Sequence, residues 1–174
     1  MTDSRARFEQ QVLPHLDAAF NLARWLTRND HDAEDVVQEA MLRAYRFFDG
    51  LRGEPRPWLL AIVRNACFSW LQANRPAELH AIDGMEPESD APGPEALAAR
   101  DVDRRRLNEA IAALPVQFRE VLVLRELEDL AYKDIARIVE IPIGTVMSRL
   151  SRARRLLAES LRIIAAPPRL RVQK

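Results

Sequence analysis

Apolar residues in this chain recur at intervals of three and four in two separate blocks, and that period restricts the fold to packed helices. The first block opens with Phe8, Val12, Leu13, Leu16, Ala19, Phe20, Ala23 and Leu26, one stripe that reads as one helix. Asn29-Asp30-His31-Asp32 breaks it, and a second stripe follows: Val36, Val37, Ala40, Met41, Ala44, Phe47 and Phe48. After a loop through Asp49-Gly50 and Arg52-Gly53-Glu54-Pro55, a third helix is predicted from near Pro57, a residue suited to a first turn, to about Ala73. Its expected buried stripe is Leu59, Ile62, Val63, Ala66 and Trp70. The period lapses over residues 76–100, where Pro76, Pro87, Pro92 and Pro94 fall among acids. It resumes with Leu107, Ile111 and Leu114, then Phe118, Val121, Leu122 and Leu124, then helices over 131–139 and 143–163. The predicted fold is all-α, with two small helical domains at 1–75 and 102–174 joined by a flexible acidic linker at 76–101. Five Gly are too few for a turn-rich β-sandwich, and no apolar run approaches the ~20 residues of a membrane span.

A formal net charge of zero hides a polarised chain. Residues 76–101 hold seven acids and one base, Arg100, whereas residues 143–174 hold eight bases and one acid, Glu159. A basic end of this kind is an electrostatic footprint for phosphate. Arg outnumbers Lys 24 to 2, a bias that suits phosphate and guanine recognition and that genomic base composition would also produce. The single cysteine, Cys67, excludes a disulfide framework, a Cys-rich zinc site and a CxxC redox pair. His15, His31 and His80 are scattered, so no metal is expected. Phosphate-loop, GxGxxG, HExxH and GxSxG patterns are absent, so no catalytic residue, cofactor or enzyme activity is expected. The start, Met1-Thr2-Asp3-Ser4-Arg5, lacks an apolar signal core, which points to the cytoplasm.

The strongest local signal is Tyr132–Val139, a three-residue turn (Glu140-Ile141-Pro142), then Ile143 to Arg155. Two helices joined so tightly cross steeply, the geometry of a helix-turn-helix. Ile143, Val146, Leu150, Ala153 and Leu157 are expected to pack on the preceding helices. Met147, Ser148, Ser151, Arg152 and Arg155 fall on another face, where a recognition helix meets major-groove base edges. Arg152 is the candidate for a guanine, and Thr145, Arg149 and Arg154 flank that face as phosphate contacts. A solvated Arg face is the plain alternative.

On these residues the chain resembles the extracytoplasmic-function (ECF) group of the bacterial sigma-70 family. Ile141-Pro142-Ile143-Gly144-Thr145-Val146-Met147-Ser148-Arg149-Leu150-Ser151-Arg152-Ala153-Arg154 is similar to that group's sigma-4 recognition helix, and Asp32-Ala33-Glu34-Asp35-Val36-Val37-Gln38-Glu39-Ala40 to its polymerase-binding helix. The likeness covers about residues 8–163. It implies promoter recognition in transcription initiation, often in a stress response: a sigma-2 domain on the −10 element and a sigma-4 domain on the −35 element. The implied partners are core RNA polymerase, through its β′ coiled coil and β flap, promoter DNA and an anti-sigma factor. No membrane insertion is implied, and the chain would work in the cytoplasm, on the nucleoid when active. One departure is Ala131, where the family usually has Ser or Thr as the helix N-cap.

Asp35, Gln38, Glu39, Leu42 and Arg46 share a face away from the core stripe, leaving Leu42 beside acids and an amide, which suits a partner surface. The resemblance makes Asp35, Gln38, Glu39 and Leu42 the core-polymerase contacts. The third helix mixes bases, amides and aromatics, which suits unstacked single-stranded bases. The −10 candidates there and in the preceding loop are Arg52, Arg56, Arg64, Asn65, Phe68 and Ser69, while Trp58 and Trp70 suit the core better. The loop Leu51–Pro55 is short beside many relatives'. The linker acids are either a solvated spacer or a nucleic-acid mimic in the polymerase channel. An ordinary repressor would share the helix-turn-helix, but such proteins usually dimerise and carry a ligand domain.

Overall fold

The structure, a computed structural model, describes residues 2–80 and 99–165. The helices are α1 (Thr2–Val12), α2 (Leu16–Thr27), α3 (Asp30–Phe47), α4 (Pro55–Asn74), α5 (Pro76–Leu79), α6 (Ala99–Ala112), α7 (Val116–Leu122), α8 (Tyr132–Val139) and α9 (Ile143–Ala165). There is no strand among the described residues. Most of the acidic linker, and with it the proposed nucleic-acid mimicry, lies outside the described residues. Four of the residues assigned to that linker form α5.

Local chemistry sets the boundaries. The stripe from Phe8 to Leu26 is two helices, because Pro14 offers no N–H to the preceding turn and a 3-10 turn, Leu13–His15, replaces α-helix there. The turn rotates the period, so Leu13 and Leu16 are exposed while Val12 and Ala19 are buried. Arg28 ends α2 in the left-handed conformation (φ 58°), its N–H donating to the Arg24 carbonyl. Asn29 then caps α3: its Oδ1 accepts from the Asp32 N–H at 3.1 Å. Asp30 and Asp32 in the first turn complement the helix dipole. Phe47, expected in the core, is 60% exposed, because α3 gives way to a 3-10 turn at Phe48 and the inward position passes to Phe48.

Helix α4 starts with Pro55 and Pro57 in its first turn, where missing N–H donors cost nothing. It is the central element, packed on α2 and α3 from one side and on α8 from the other. Leu59, Leu60, Val63, Ala66, Cys67 and Leu71 are all buried, whereas the expected Ile62 and Trp70 are half-buried. A single amphipathic stripe cannot anticipate this, since α4 meets apolar neighbours on two faces. Burial pushes the Cys67 thiol up to about 12, so it stays protonated.

In the second half, Val121–Leu124 are consecutively buried because α7 packs on both α9 and α2. Leu107 and Phe118, expected inside, are only partly covered. A π-helical turn, Val123–Leu127, extends α7, and Glu128 directly after it is buried. Glu140 takes the left-handed conformation (φ 58°) that turns α8 into Pro142 and α9. Val146, Leu150 and Ala153 of α9 are buried, whereas Ile143 is 47% exposed, a correction to its expected packing: as the first residue of α9 it has no preceding helical turn beside it. The buried residues of both halves join in one core, so the described domains are packed together. Arg119 secures that union: its Nη1 donates to the Ala112 and Leu114 carbonyls at 2.9 and 2.7 Å, and its Nη2 to Leu26 of α2 at 3.4 Å. Burial lowers the Arg119 pKa to about 10.

Ala131, in the N-cap position of α8, offers no side-chain acceptor. Ala131→Ser is therefore expected to stabilise the protein by ~1 kcal/mol, read as a rise in the urea midpoint. Cys67 should resist a thiol reagent at pH 8 in the native protein and react fully once denatured.

Candidate nucleic-acid interface

Helix α9 presents an open side made of Met147, Ser148, Ser151 and Arg155, all exposed. The Ser148 hydroxyl donates to the Thr145 carbonyl at 3.1 Å. Arg152 is half-buried, its guanidinium 5.6 Å from the Phe118 ring centre, which holds the stem against α7. Of the three flanking residues, Thr145 and Arg149 are half-buried. Arg149 places positive charge near buried Glu120, which works against the rise of that carboxyl's pKa. Arg154 donates to Glu126 at 2.9 and 2.6 Å, and this hydrogen bond raises its pKa. The pair is about half exposed, so water screens it and a phosphate can compete.

On α3, Asp35, Gln38, Glu39 and Leu42 are all exposed, with Leu42 at 66%. Glu39 accepts from Arg43 one turn on, at 2.5 Å. Tyr45, also exposed and three residues on, extends this apolar spot, while Phe47 is exposed at the end of α3. Neither exposure is legible in the sequence: Tyr45 lies off the apolar stripe, and Phe47 falls on it. Tyr45 is fixed edge-on against Phe8, with ring centres 5.2 Å apart.

The −10 candidates divide. Arg52, Asn65 and Ser69 are exposed. Arg56 and Arg64 instead turn toward the second half, and Phe68 is half-buried beside Arg64. Arg56 Nη2 donates to the Glu128 carboxylate and carbonyl, both at 2.7 Å, and Asn21 donates to the same carboxylate at 2.6 Å. Arg64 binds Glu120 through two hydrogen bonds of 2.9 and 3.3 Å, and its guanidinium lies 3.6 Å from the Phe68 ring centre. Glu120 is fully buried; burial raises its pKa, against the opposing hydrogen bond and charge of Arg64. Nearer the solvent, Arg28 and Arg75 meet Glu78 of α5. Glu120 and Glu128 are the residues sequence reasoning did not single out. Their signal was an acid inside or beside the apolar run Val116–Leu124, where a buried carboxylate demands a cation.

Among the described residues, no three His, Cys, Asp or Glu side chains gather as a metal site, and no helix is long and apolar enough to cross a membrane.

Residues 12–76 match the model of sigma-70 region 2, and residues 104–157 that of sigma-70 region 4. The chain is 33% identical over 170 residues to the RNA polymerase sigma-H factor of Pseudomonas aeruginosa, covering 91% of this chain and 88% of that protein. It is 38% identical over 134 residues to the ECF RNA polymerase sigma-E factor of Escherichia coli (strain K12), covering 71% and 70%. Among solved structures it resembles the sigma factor RpoE in complex with the anti-sigma factor NepR from Bartonella quintana, with a TM-score of 0.71 and 31% identity over 90% of this chain and 98% of that one. CnrH in complex with the cytosolic domain of CnrY shares the fold, with a TM-score of 0.67 and 22% identity over 91% of this chain and 90% of that one.

Removing Glu120 would leave Arg64 half-buried and unpaired. Glu120→Ala is expected to weaken the packing of the two halves by ~3–5 kcal/mol, whereas replacing both partners by Met is expected to recover most of the loss. A urea titration and the radius of gyration in solution check this; an unchanged midpoint and radius would count against the pair as the fastening.

Proposed function

The chain belongs to the ECF group of the sigma-70 family, a non-enzymatic transcription initiation factor, and on that premise we propose which of its surfaces do which part of the work. Residues 1–75 serve as the sigma-2 domain. Asp35, Gln38, Glu39 and Leu42 grip the β′ coiled coil of core polymerase, with the Leu42 side chain as the apolar anchor inside a charged rim. Residues 102–174 serve as the sigma-4 domain, which also meets the β flap and reads the −35 element through α9. The observation that carries this reading is the division of one helix: Val146, Leu150 and Ala153 are sealed in the core while Met147, Ser148, Ser151 and Arg155 stand open beside Arg152.

The mechanism is binding rather than bond chemistry. Arg152 approaches a guanine edge, Ser148 and Ser151 accept or donate to either base type, and Arg154, Arg155, Thr145 and Arg149 neutralise or bond phosphates. After the −35 element is engaged, Arg52, Asn65 and Ser69 on α4 and its preceding loop meet exposed non-template bases of the −10 element, joined by Arg56, Arg64 and Phe68. Binding energy on those bases offsets strand opening. The last three residues are engaged inside the closed chain, so they become available only when the halves part. Polymerase binds the parted form better and so shifts the equilibrium toward it. An anti-sigma factor opposes this step, by analogy with the proteins of the matched complexes. The work takes place in the cytoplasm, at the nucleoid when the factor is engaged.

Transcription with purified core polymerase tests the reading: this chain is expected to confer initiation from a promoter that core alone ignores, an outcome a repressor cannot produce. Leu42→Ala is expected to weaken core binding without lowering thermal stability, because the side chain is largely in water. Arg152→Ala is expected to lose ~1–3 kcal/mol of discrimination at one base pair, seen by competition binding of the holoenzyme to promoter variants.

A further inference from the structure

Two large apolar side chains stand in water on the leading end of α9: Ile143, 47% exposed, and Met147, 52% exposed and one turn on. They are unlike the rest of that end, which is Gly144, Ser148 and Ser151. Helix packing does not explain them, since the inward positions are already filled by Val146 and Leu150. Gly144 between them has an ordinary backbone conformation, and a Cβ there would meet nothing within 4 Å, so the fold of this chain does not require a bare backbone at that point. The end of α9 is thus narrow and locally apolar, inside a segment, 143–174, with eight bases and one acid. That charge selects a polyanion over a neutral or basic protein groove as the occupant.

In the major groove of B-DNA the apolar group on offer is the C5 methyl of thymine; the other base edges present hydrogen-bond donors and acceptors. Met is unbranched and adaptable, suited to closing on a methyl whose place shifts with the base step. We propose that Met147, flanked by Ile143, reads thymine methyl groups in the −35 element and makes a thymine-bearing step a specificity determinant of this sigma factor. The assignment rests on α9 being the −35 recognition helix. Ser148 and Ser151 tolerate several bases, Arg152 supplies guanine selection beside it, and Met147 favours thymine over cytosine at its step because cytosine carries no methyl.

The test uses holoenzyme assembled from core polymerase and the full chain. Duplexes are selected from a random pool by holoenzyme binding, and each thymine of the enriched −35 block is then replaced by deoxyuridine, which removes the methyl alone. At one or two positions deoxyuridine is expected to weaken binding about fourfold, the worth of one buried methyl at ~0.8 kcal/mol. Met147→Ala is expected to bind the thymine and deoxyuridine duplexes equally, and Met147→Leu to keep the difference. Two outcomes overturn the inference while leaving α9 as the reader: no thymine position is sensitive, or Met147→Ala keeps the full deoxyuridine penalty. An effect of Met147→Ala confined to anti-sigma binding also overturns it, by assigning the patch to a protein. If no −35 block emerges and Arg152→Ala is silent as well, the parent reading of α9 fails too.

Discussion

The arrangement of this molecule depends on helix α4 being buried from two sides. Its Leu59, Val63 and Ala66 belong with the first three helices, and its other flank is covered by α8 of the second half. A polar pair, Arg64 and Glu120, lies in that second seam with the carboxylate fully out of water. Such a pair adds little net stability compared with apolar side chains of similar volume, because desolvation consumes most of its Coulombic gain. Its physical effect is on geometry. A mispacked seam would strand a charge, so the two halves meet in one register or part altogether.

On the proposed reading, the same seam holds part of the −10 surface inside the closed chain. Arg64 and Arg56 have the chemistry to meet nucleic-acid phosphate, and in the closed chain they meet Glu120 and Glu128 instead. Phe68, suited to stacking on a base, is stacked under the Arg64 guanidinium. On the proposed reading, the carboxylates hold, within one chain, the places that phosphates would take. Arg119 reinforces the union chiefly through backbone carbonyls from both halves, with Glu78 Oε2 a looser partner at 3.9 Å.

The site was legible in the sequence to different depths. The helix-turn-helix was plain because its local signals agree: a stripe of Val146, Leu150 and Ala153, a turn before Pro142, and Arg side chains on another face. The α3 surface was also legible, since Leu42 interrupts a polar face. The errors fall where the helical period changes phase. Pro14 divides one expected helix, the turn at Phe48 sends Phe47 outward, and Ile143 precedes the packed part of α9. A three-and-four count assumes an unbroken helix, and each of these residues sits at a break.

By itself, the sequence determined most of the helices and the helix-turn-helix, because those depend on periods and side-chain chemistry within about twenty neighbours. It could not determine that the two halves share one core. That depends on α4 packing on α8, some sixty residues away, as well as on α2 and α3, and on acids buried in α7 and just beyond it. A carboxylate reads the same on paper whether it is solvated or sealed against a guanidinium. Only the tertiary structure decided that Arg56, Arg64 and Phe68 face inward while Arg52, Asn65 and Ser69 face water, because which side of a helix is open depends on what is packed against it.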